Sequence, residues 1–280
     1  MRVRCHGARG SVPVSGPEHL RYGGDTSCLE VRSSRGDLLI LDAGTGIRLL
    51  GCELLGHEPF DLTILFSHYH WDHIQGLPFF KPLYDPRVTL RLGGCRDARG
   101  ELTRVLSRAL RPPLFPVPFE KVPARIEVAP FENESLRVGA LSVRRIATSH
   151  PNRGAGFRIE ENGRSLVYLT DNELSLRHRG GLSFADYAAF CRGADLLIHD
   201  AEYTPEEYPH RRGWGHSHFM EVAALAREAK VGRLGLFHHN QERTDQALDQ
   251  IVERCRALFD RPGDPACEAL GQGWAADIPA

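Results

Sequence analysis

Three histidines and one aspartate fall within six residues of the segment Phe66-Ser67-His68-Tyr69-His70-Trp71-Asp72-His73, directly after the apolar run Leu62–Phe66. An apolar run of that length reads as a buried strand. A turn after the strand can point His68 and His70 to one side and Asp72 and His73 to another, so that two cations could sit side by side, as in two-metal hydrolases, whose ions are ~3.5–4 Å apart. A merely solvated loop does not explain histidines crowded against the end of a buried strand. Imidazole suits zinc, manganese, iron and nickel alike, and the carboxylates widen the choice toward harder ions. Two divalent ions are expected, Zn2+ first, with Mn2+ or Fe2+ as alternatives.

Four protein groups cannot complete two metal shells, so further ligands should stand at later strand ends. His150 follows Val143–Thr148, Asp171 follows Val167–Thr170 and His238 follows Leu234–Phe237. Taken singly, each is an ordinary cap or turn residue. Beside the first cluster, they complete a ligand set of seven: His68, His70, Asp72, His73, His150, Asp171 and His238.

The surrounding pattern gives the fold class. Strand-length apolar runs occur at Cys28–Val31, Leu38–Leu41, Leu62–Phe66, Leu141–Ala147, Ser165–Leu169, Leu196–Ile198 and Leu234–Phe237. Helical periodicity marks Phe219–Lys230 and Asp245–Leu258, and Leu102–Leu110 is a helix stopped by Pro112 and Pro113, which open a Pro-rich segment running to Pro130. Strands dominate early and helices are interspersed later, which predicts an α/β protein with paired mixed sheets and flanking helices. With no Ser/Gly-rich linker and no repeat, residues 1–280 are expected to form one domain.

Composition excludes several function classes. Lys+Arg number 35 and Asp+Glu 36, a net charge of -1, so no global field draws in a long nucleic acid. The seven cysteines include no C-x-x-C pair, which argues against a zinc ribbon or a dithiol redox site and for reduced, mostly buried thiols. No stretch reaches the ~18 apolar residues of a spanning helix, and the N-terminus has no signal-peptide core. The expected location is the cytoplasm, without membrane association.

The pattern H-x-H-x-D-H followed by a distant His, Asp and His resembles the metallo-β-lactamase superfamily, over most of the chain from Gly7 to about Asp245. The resemblance implies an αββα sandwich with His68, His70 and His150 on one metal, Asp72, His73 and His238 on the other, and Asp171 bridging. His239 competes with His238 for the last position, but His238 comes first after its strand. Asp42, in Leu41-Asp42-Ala43-Gly44, matches a family position behind the metals that orients a ligand histidine or the cluster's loop; a turn-forming aspartate is the equal alternative. Gly7-Ala8-Arg9-Gly10-Ser11-Val12-Pro13 and Tyr22-Gly23-Gly24-Asp25-Thr26-Ser27-Cys28 resemble glycine-rich loops beside the metal site, with Asp25 where relatives more often carry Asn.

Leu197-Ile198-His199-Asp200-Ala201-Glu202-Tyr203 and Gly213-Trp214-Gly215-His216-Ser217-His218 are similar to the ribonuclease Z-like branch. That likeness implies a phosphodiesterase in which metal-bound hydroxide attacks phosphorus and His216, supported by Asp200, assists the departing alkoxide. His216 as a cap of the following helix is the bland alternative, although Ser217 is the better cap. Transfer-RNA processing members of the branch carry an RNA-grasping arm between the positions of His150 and Asp171. Here the interval Pro151–Thr170 has no room for one. The compact relatives, which cleave small phosphodiesters such as cyclic nucleotides, are the closer analogy, and no stable nucleic-acid complex is expected. A ribonuclease of the ribonuclease Z type and a lactone or thioester hydrolase are the alternatives. A di-iron redox role fits less well, since that branch resembles H-x-E-x-D-H and His70 stands where Glu would be. Arg153 and Arg158 are candidate substrate contacts and Phe115 a candidate pocket wall, each with an ordinary surface role as the alternative. The resemblance also implies a homodimer.

Overall fold

The computed structural model describes residues 1–279 except 57–60, 96–97, 130 and 132–133. The end of the Pro-rich segment, Pro130, thus lies outside the described residues.

The chain forms two seven-stranded sheets. The first holds β1 (Arg2–Gly7), β2 (Cys28–Arg32), β3 (Leu38–Leu41), β4 (Asp61–Phe66), β5 (Thr89–Gly94) and β6 (Arg125–Val128) in sequence order, with the last strand, β14 (Ala275–Asp277), on the outer edge of β1. The second holds β7 (Ser135–Val138), β8 (Leu141–Thr148), β9 (Gly154–Glu161), β10 (Arg164–Leu169), β11 (Leu196–Asp200), β12 (Arg233–Phe237) and β13 (Ala266–Ala269), again in sequence order. Each sheet has a parallel half, β3 to β6 in one and β10 to β13 in the other, and an antiparallel remainder.

Side-chain alternation builds three layers of core. On β3, Leu39 and Leu41 enter the core between the sheets with Val3, Val143, Phe157, Tyr168 and Ile198, whereas Leu38 and Ile40 pack outward. The outer face of the first sheet is covered by α1 (Ile47–Glu53) and α3 (Ala98–Ala109), which contribute Ile47, Leu50, Leu102 and Leu106. The second sheet is covered by α4 (Phe184–Cys191), α5 (Phe219–Glu228) and α6 (Asp245–Arg256), through Tyr187, Val222, Leu225 and Ile251. Strands buried on both faces read as continuous apolar runs, which is why β3, β4, β10 and β12 stand out in the sequence.

The seven expected strands are present, most extended by one or two residues, and the predicted αββα layering is the observed one. Strands β1, β5, β6, β7, β9, β13 and β14 were not expected. β1, Arg-Val-Arg-Cys-His-Gly, carries alternate charged residues and β9 ends in Arg-Ile-Glu-Glu, so neither is an apolar run. Between β9 and β10 the turn is only Asn162-Gly163, both at positive φ (50° and 77°), as a two-residue hairpin turn requires. No arm protrudes there.

Candidate metal centre

Every chemically loaded residue stands at the same end of the two sheets, where the parallel strands finish. Asp42 follows β3, His68 to His73 follow β4, Asp171 follows β10, Asp200 ends β11 and His238 follows β12. His150 comes in after β8. Ligand sites in open α/β sheets lie at this carboxyl edge because the chain turns there and leaves a crevice. Asp42, Asp171 and His238 have φ of 63°, 53° and 54°. Left-handed backbone at non-glycine residues is costly, and its recurrence at three clustered positions marks a site held in place by its surroundings.

His70 begins the short helix α2 (Trp71–Ile74), whose first turn carries Asp72 and His73 on a buried face. The turn splits the cluster as expected. Ligand-type atoms of His68, His70 and His150 lie within 4.8 Å of one another, as do those of Asp72, His73 and His238. Between the groups, Asp171 Oδ2 is 3.3 Å from His73 Nε2 and its Oδ1 is 3.6 Å from His68 Nε2 and 3.5 Å from His238 Nε2. All seven candidate ligands are therefore brought together, with Asp171 central. His239 is not part of the group: its Nε2 donates to the Leu270 carbonyl at 2.7 Å.

The outer nitrogens of four imidazoles are fixed by acceptors. Ser67 Oγ–H donates to Asp42 Oδ2 at 2.8 Å and so accepts from His68 Nδ1 at 3.0 Å. His73 Nδ1 donates to Asp42 (2.9 Å), His150 Nδ1 to the Gly215 carbonyl (2.9 Å) and His238 Nδ1 to Glu202 (3.0 Å). Each proton is thereby placed outside, and the Nε2 lone pairs converge inward. Metal-binding histidines are oriented in this way. Two features fit a cation at the convergence. His68 Nε2 is buried with no hydrogen-bond partner, and imidazole nitrogens face one another at 3.1 Å (His70 Nδ1 and His150 Nε2) and 3.4 Å (His73 Nε2 and His238 Nε2).

Electrostatics agree with the geometry. Burial lowers the proton affinity of His68 and His70 and brings His150 down to about 4, keeping these imidazoles neutral. Burial would lower His73 and His238 too, but Asp171, with Asp72 and Asp42 for His73 and with Asp72 and Glu202 for His238, raises both well above the ordinary value. Burial works against the charged form of Asp72 and Asp171 as well, yet neighbouring imidazoles hold both well below the usual carboxylate range. The ionised carboxylates and the neutral imidazoles of His68, His70 and His150 favour divalent cations, which would take the place of the protons that Asp171 and its neighbours hold on His73 and His238.

The N-terminal loop closes one side. Ser11 N–H donates to Asp72 Oδ2 at 2.8 Å, and a side chain at Gly10 would meet the His238 ring at 2.3 Å. The buried Arg9 ties this loop to the Gly23 and Arg243 carbonyls. Asp25 contributes its backbone carbonyl to Arg9 N–H. Asp42 both turns the chain and orients the cluster, accepting from Ser67 N–H, Ser67 Oγ, His73 and Tyr168 OH.

His216 lies against the same centre. Its Nδ1 is 3.5 Å from Asp200 Oδ2 and 3.8 Å from Asp171 Oδ1, and its Nε2 is 3.4 Å from Glu202 Oε2. Burial opposes protonation, but Glu202 and Asp200 raise its pKa to about 9. Glu202 was not singled out from the sequence. Its signal was its place in Asp200-Ala201-Glu202, one alternation beyond the carboxylate that was. Asp200 also accepts from Asn172 N–H and Ser217 N–H, at 3.0 Å each, so it fixes the two loops that frame His216. The cap of α5 is His218, not Ser217, whose hydroxyl is engaged with Asn172 and Leu174.

One candidate contact is corrected. Arg158 is spent on structure: it bonds Glu160, Ser165 and the carbonyls of Phe190 and Arg192 at the end of α4, where a cation satisfies unpaired helix carbonyls. Phe115 packs edge-on against Phe79, with ring centroids 5.8 Å apart.

Ribonuclease BN of Salmonella paratyphi C is 24% identical over 257 residues, covering 79% of this chain and 84% of that protein. Among solved structures, the metallo-β-lactamase fold protein YhfI from Bacillus subtilis superposes with a TM-score of 0.71 at 20% identity, covering 98% of both chains. A diphosphatase from the PhnP family gives 0.69 at 19% identity, covering 99% of this chain and 98% of that one. Residues 38–239, which contain β3, β4 and all seven clustered residues, match the Beta-lactamase superfamily domain. The chain belongs to the beta-lactamase superfamily, and with it to the metal-dependent hydrolases.

Proposed function

We propose that this chain is a dinuclear phosphodiesterase acting on small diesters, cyclic nucleotides first. His68, His70 and His150 would hold one divalent ion, Asp72, His73 and His238 the other, with Asp171 between them and Zn2+ the preferred metal for so imidazole-rich a set. Bound there, the ions supply an activated water and polarise the phosphoryl oxygens. The observation that carries the reading is the position of His216 beside the centre, its Nδ1 3.5 Å from Asp200 Oδ2 and its Nε2 3.4 Å from Glu202 Oε2, two carboxylates that favour its protonated form. Hydrolysis of a diester expels an alkoxide, and an imidazolium at this place can donate the proton it needs. Asp200 and Glu202 keep that proton available at neutral pH and Asp200 fixes the loop on which His216 rides.

Small size is supported by the two-residue hairpin between β9 and β10, which leaves no room for an RNA-grasping arm between His150 and Asp171. Trp71, next to His70, and Trp214, two residues before His216, are 55% and 58% exposed and could stack on a base, Trp214 through the face that Arg211 does not cover. The second reading, a ribonuclease, rests on the likeness to ribonuclease BN. We take residues 1–280 to act as one domain, as a homodimer in the cytoplasm; none of the seven cysteines is in a disulfide, which suits a reducing compartment. Among the described residues, no helix is long and apolar enough to cross a membrane.

A panel of 2′,3′- and 3′,5′-cyclic nucleotides, bis(p-nitrophenyl) phosphate, precursor tRNA and a lactone, assayed with defined Zn2+ or Mn2+, tests this. Cyclic nucleotides and the aryl diester should be the best substrates. More efficient cleavage of precursor tRNA, or hydrolysis of the lactone alone, rejects it.

A further inference from the structure

His216 sits between two backbone amides, and each is held by a different buried carboxylate. On one side Ser217 N–H donates to Asp200 Oδ2 at 3.0 Å. On the other, Gly215 N–H donates to Glu173 Oε2 at 2.9 Å, and Gly213 N–H donates to Glu173 Oε1 at 2.8 Å. Glu173 stands two residues past Asp171 in the loop after β10, is completely buried and belongs to none of the candidate ligand groups. Its other contacts are Tyr208 OH on Oε1 and His178 Nε2 on Oε2, at 2.7 Å each. A carboxylate offers about four acceptor sites, and donors from three loops take them. Burial without such partners would be costly.

Gly215 also links this carboxylate to the metal centre. Its carbonyl accepts from His150 Nδ1–H at 2.9 Å, which turns Nε2 of that ring inward. The approach is close: Gly215 has φ of 96°, and a side chain there would run into the His150 ring. The backbone of Glu173 reaches the same place from behind, its N–H donating to the Ser149 carbonyl at 2.9 Å. One residue therefore ties together the loop carrying His150, the loop carrying Asp171 and the loop carrying His216.

We propose that Glu173 is a positioning residue: through the Gly213 and Gly215 amides it sets where His216 stands and holds the Gly215 carbonyl against His150. The first part rests on the diester reading, in which His216 serves the leaving group. The second does not, since it concerns only how a candidate ligand is aimed. A glutamine in this place cannot do the same. Whichever way its amide is turned, the NH2 group faces one glycine N–H, and a backbone donor cannot become an acceptor as the Tyr208 hydroxyl or a histidine nitrogen can. One of the two glycine contacts must break.

The test measures Glu173→Gln and Tyr208→Phe beside the wild type, under saturating Zn2+, on a 2′,3′-cyclic nucleotide and on bis(p-nitrophenyl) phosphate. Glu173→Gln should lower kcat on the cyclic nucleotide about 10- to 100-fold, as misplacing a reacting group by about an ångström does, with KM little changed. The loss on the aryl diester, whose leaving group needs little protonation, should be distinctly smaller. Tyr208→Phe takes a donor from the same carboxylate and leaves both glycine contacts, so it should lower the melting temperature without separating the two substrates. Independently of turnover, competition with a chelating dye should show Zn2+ held about 10-fold more weakly in Glu173→Gln, the lower end of what an outer partner of a ligand histidine is worth. Equal losses on the two substrates, or wild-type Zn2+ affinity in Glu173→Gln, overturns the proposal. Weaker Zn2+ binding in a protein that hydrolyses neither diester supports the aiming of His150 and rejects the diester reading alone. Should Glu173→Gln not fold, the same readouts on Glu173→Asp, which keeps the charge but is one methylene short of the two amides, decide in the same way.

Discussion

His73 Nδ1 donates to Asp42 Oδ2 across 2.9 Å, and both side chains are wholly buried. The same carboxylate accepts Ser67 Oγ–H, which in turn fixes His68, so one aspartate orients an imidazole from each half of the cluster. Asn at position 42 keeps the left-handed backbone but turns an amide group toward hydroxyl and imidazole donors. Asp42→Asn should weaken metal affinity about 10–100-fold, the usual effect of losing a carboxylate behind a ligand histidine. Competition with a chelating dye measures it; wild-type affinity in the variant contradicts the assignment.

His216→Ala should retain the metals and lose activity in a way that depends on the leaving group. General acid catalysis contributes about 10²–10⁴-fold, so kcat on a cyclic nucleotide should fall by that factor. The loss should be much smaller on bis(p-nitrophenyl) phosphate, whose leaving group needs little protonation. Asp200→Asn should show the same dependence more weakly, along with lower thermal stability, since it also holds Asn172 N–H and Ser217 N–H. Equal losses on both substrates, or loss of metal from His216→Ala, would move His216 to a structural or ligand role.

The layering and the ligand set were legible because both are written in local pattern. β4 is apolar but for Asp61 and Thr63 and its candidate ligands follow at once, while His150, Asp171 and His238 each stand just past a comparable run. The neighbours of those ligands were less legible. Glu202 reaches His238 only because β11 and β12 lie parallel in register, and Gly10 must be glycine only because the His238 ring arrives from a residue far along the chain. Arg158 shows the converse. Near His150 in sequence, it is carried along β9 to the end of α4, a pairing that sequence distance does not record.

Arg158→Ala should therefore change stability and not substrate binding. Its hydrogen bonds to the Phe190 carbonyl and to Ser165 are partly buried, and their loss should cost about 1–2 kcal/mol. Denaturant melts should show this with KM unchanged. A raised KM with unchanged stability would return Arg158 to the substrate site.

Glu221, in the first turn of α5, has its carboxyl pushed up to about 7 by burial, from an ordinary 4.5. Between those values the folded protein holds a proton that the unfolded chain has released. Stability should consequently fall as pH rises from 4.5 to 7 and stay reduced above it. Glu221→Gln removes the penalty, so its advantage over the wild type should grow from nil near pH 4 to on the order of 2 kcal/mol at pH 8. Melting curves across that range check the slope, and an advantage that does not vary with pH contradicts it.

Elemental analysis of the purified protein, read beside its activity before and after chelation, tests the metal centre most directly. Two divalent transition-metal ions per chain are expected, with activity abolished by chelation and restored by Zn2+ or Mn2+. His68→Ala and Asp72→Ala should each lower occupancy and activity together. A chain that holds no transition metal and keeps full activity after chelation would contradict the account.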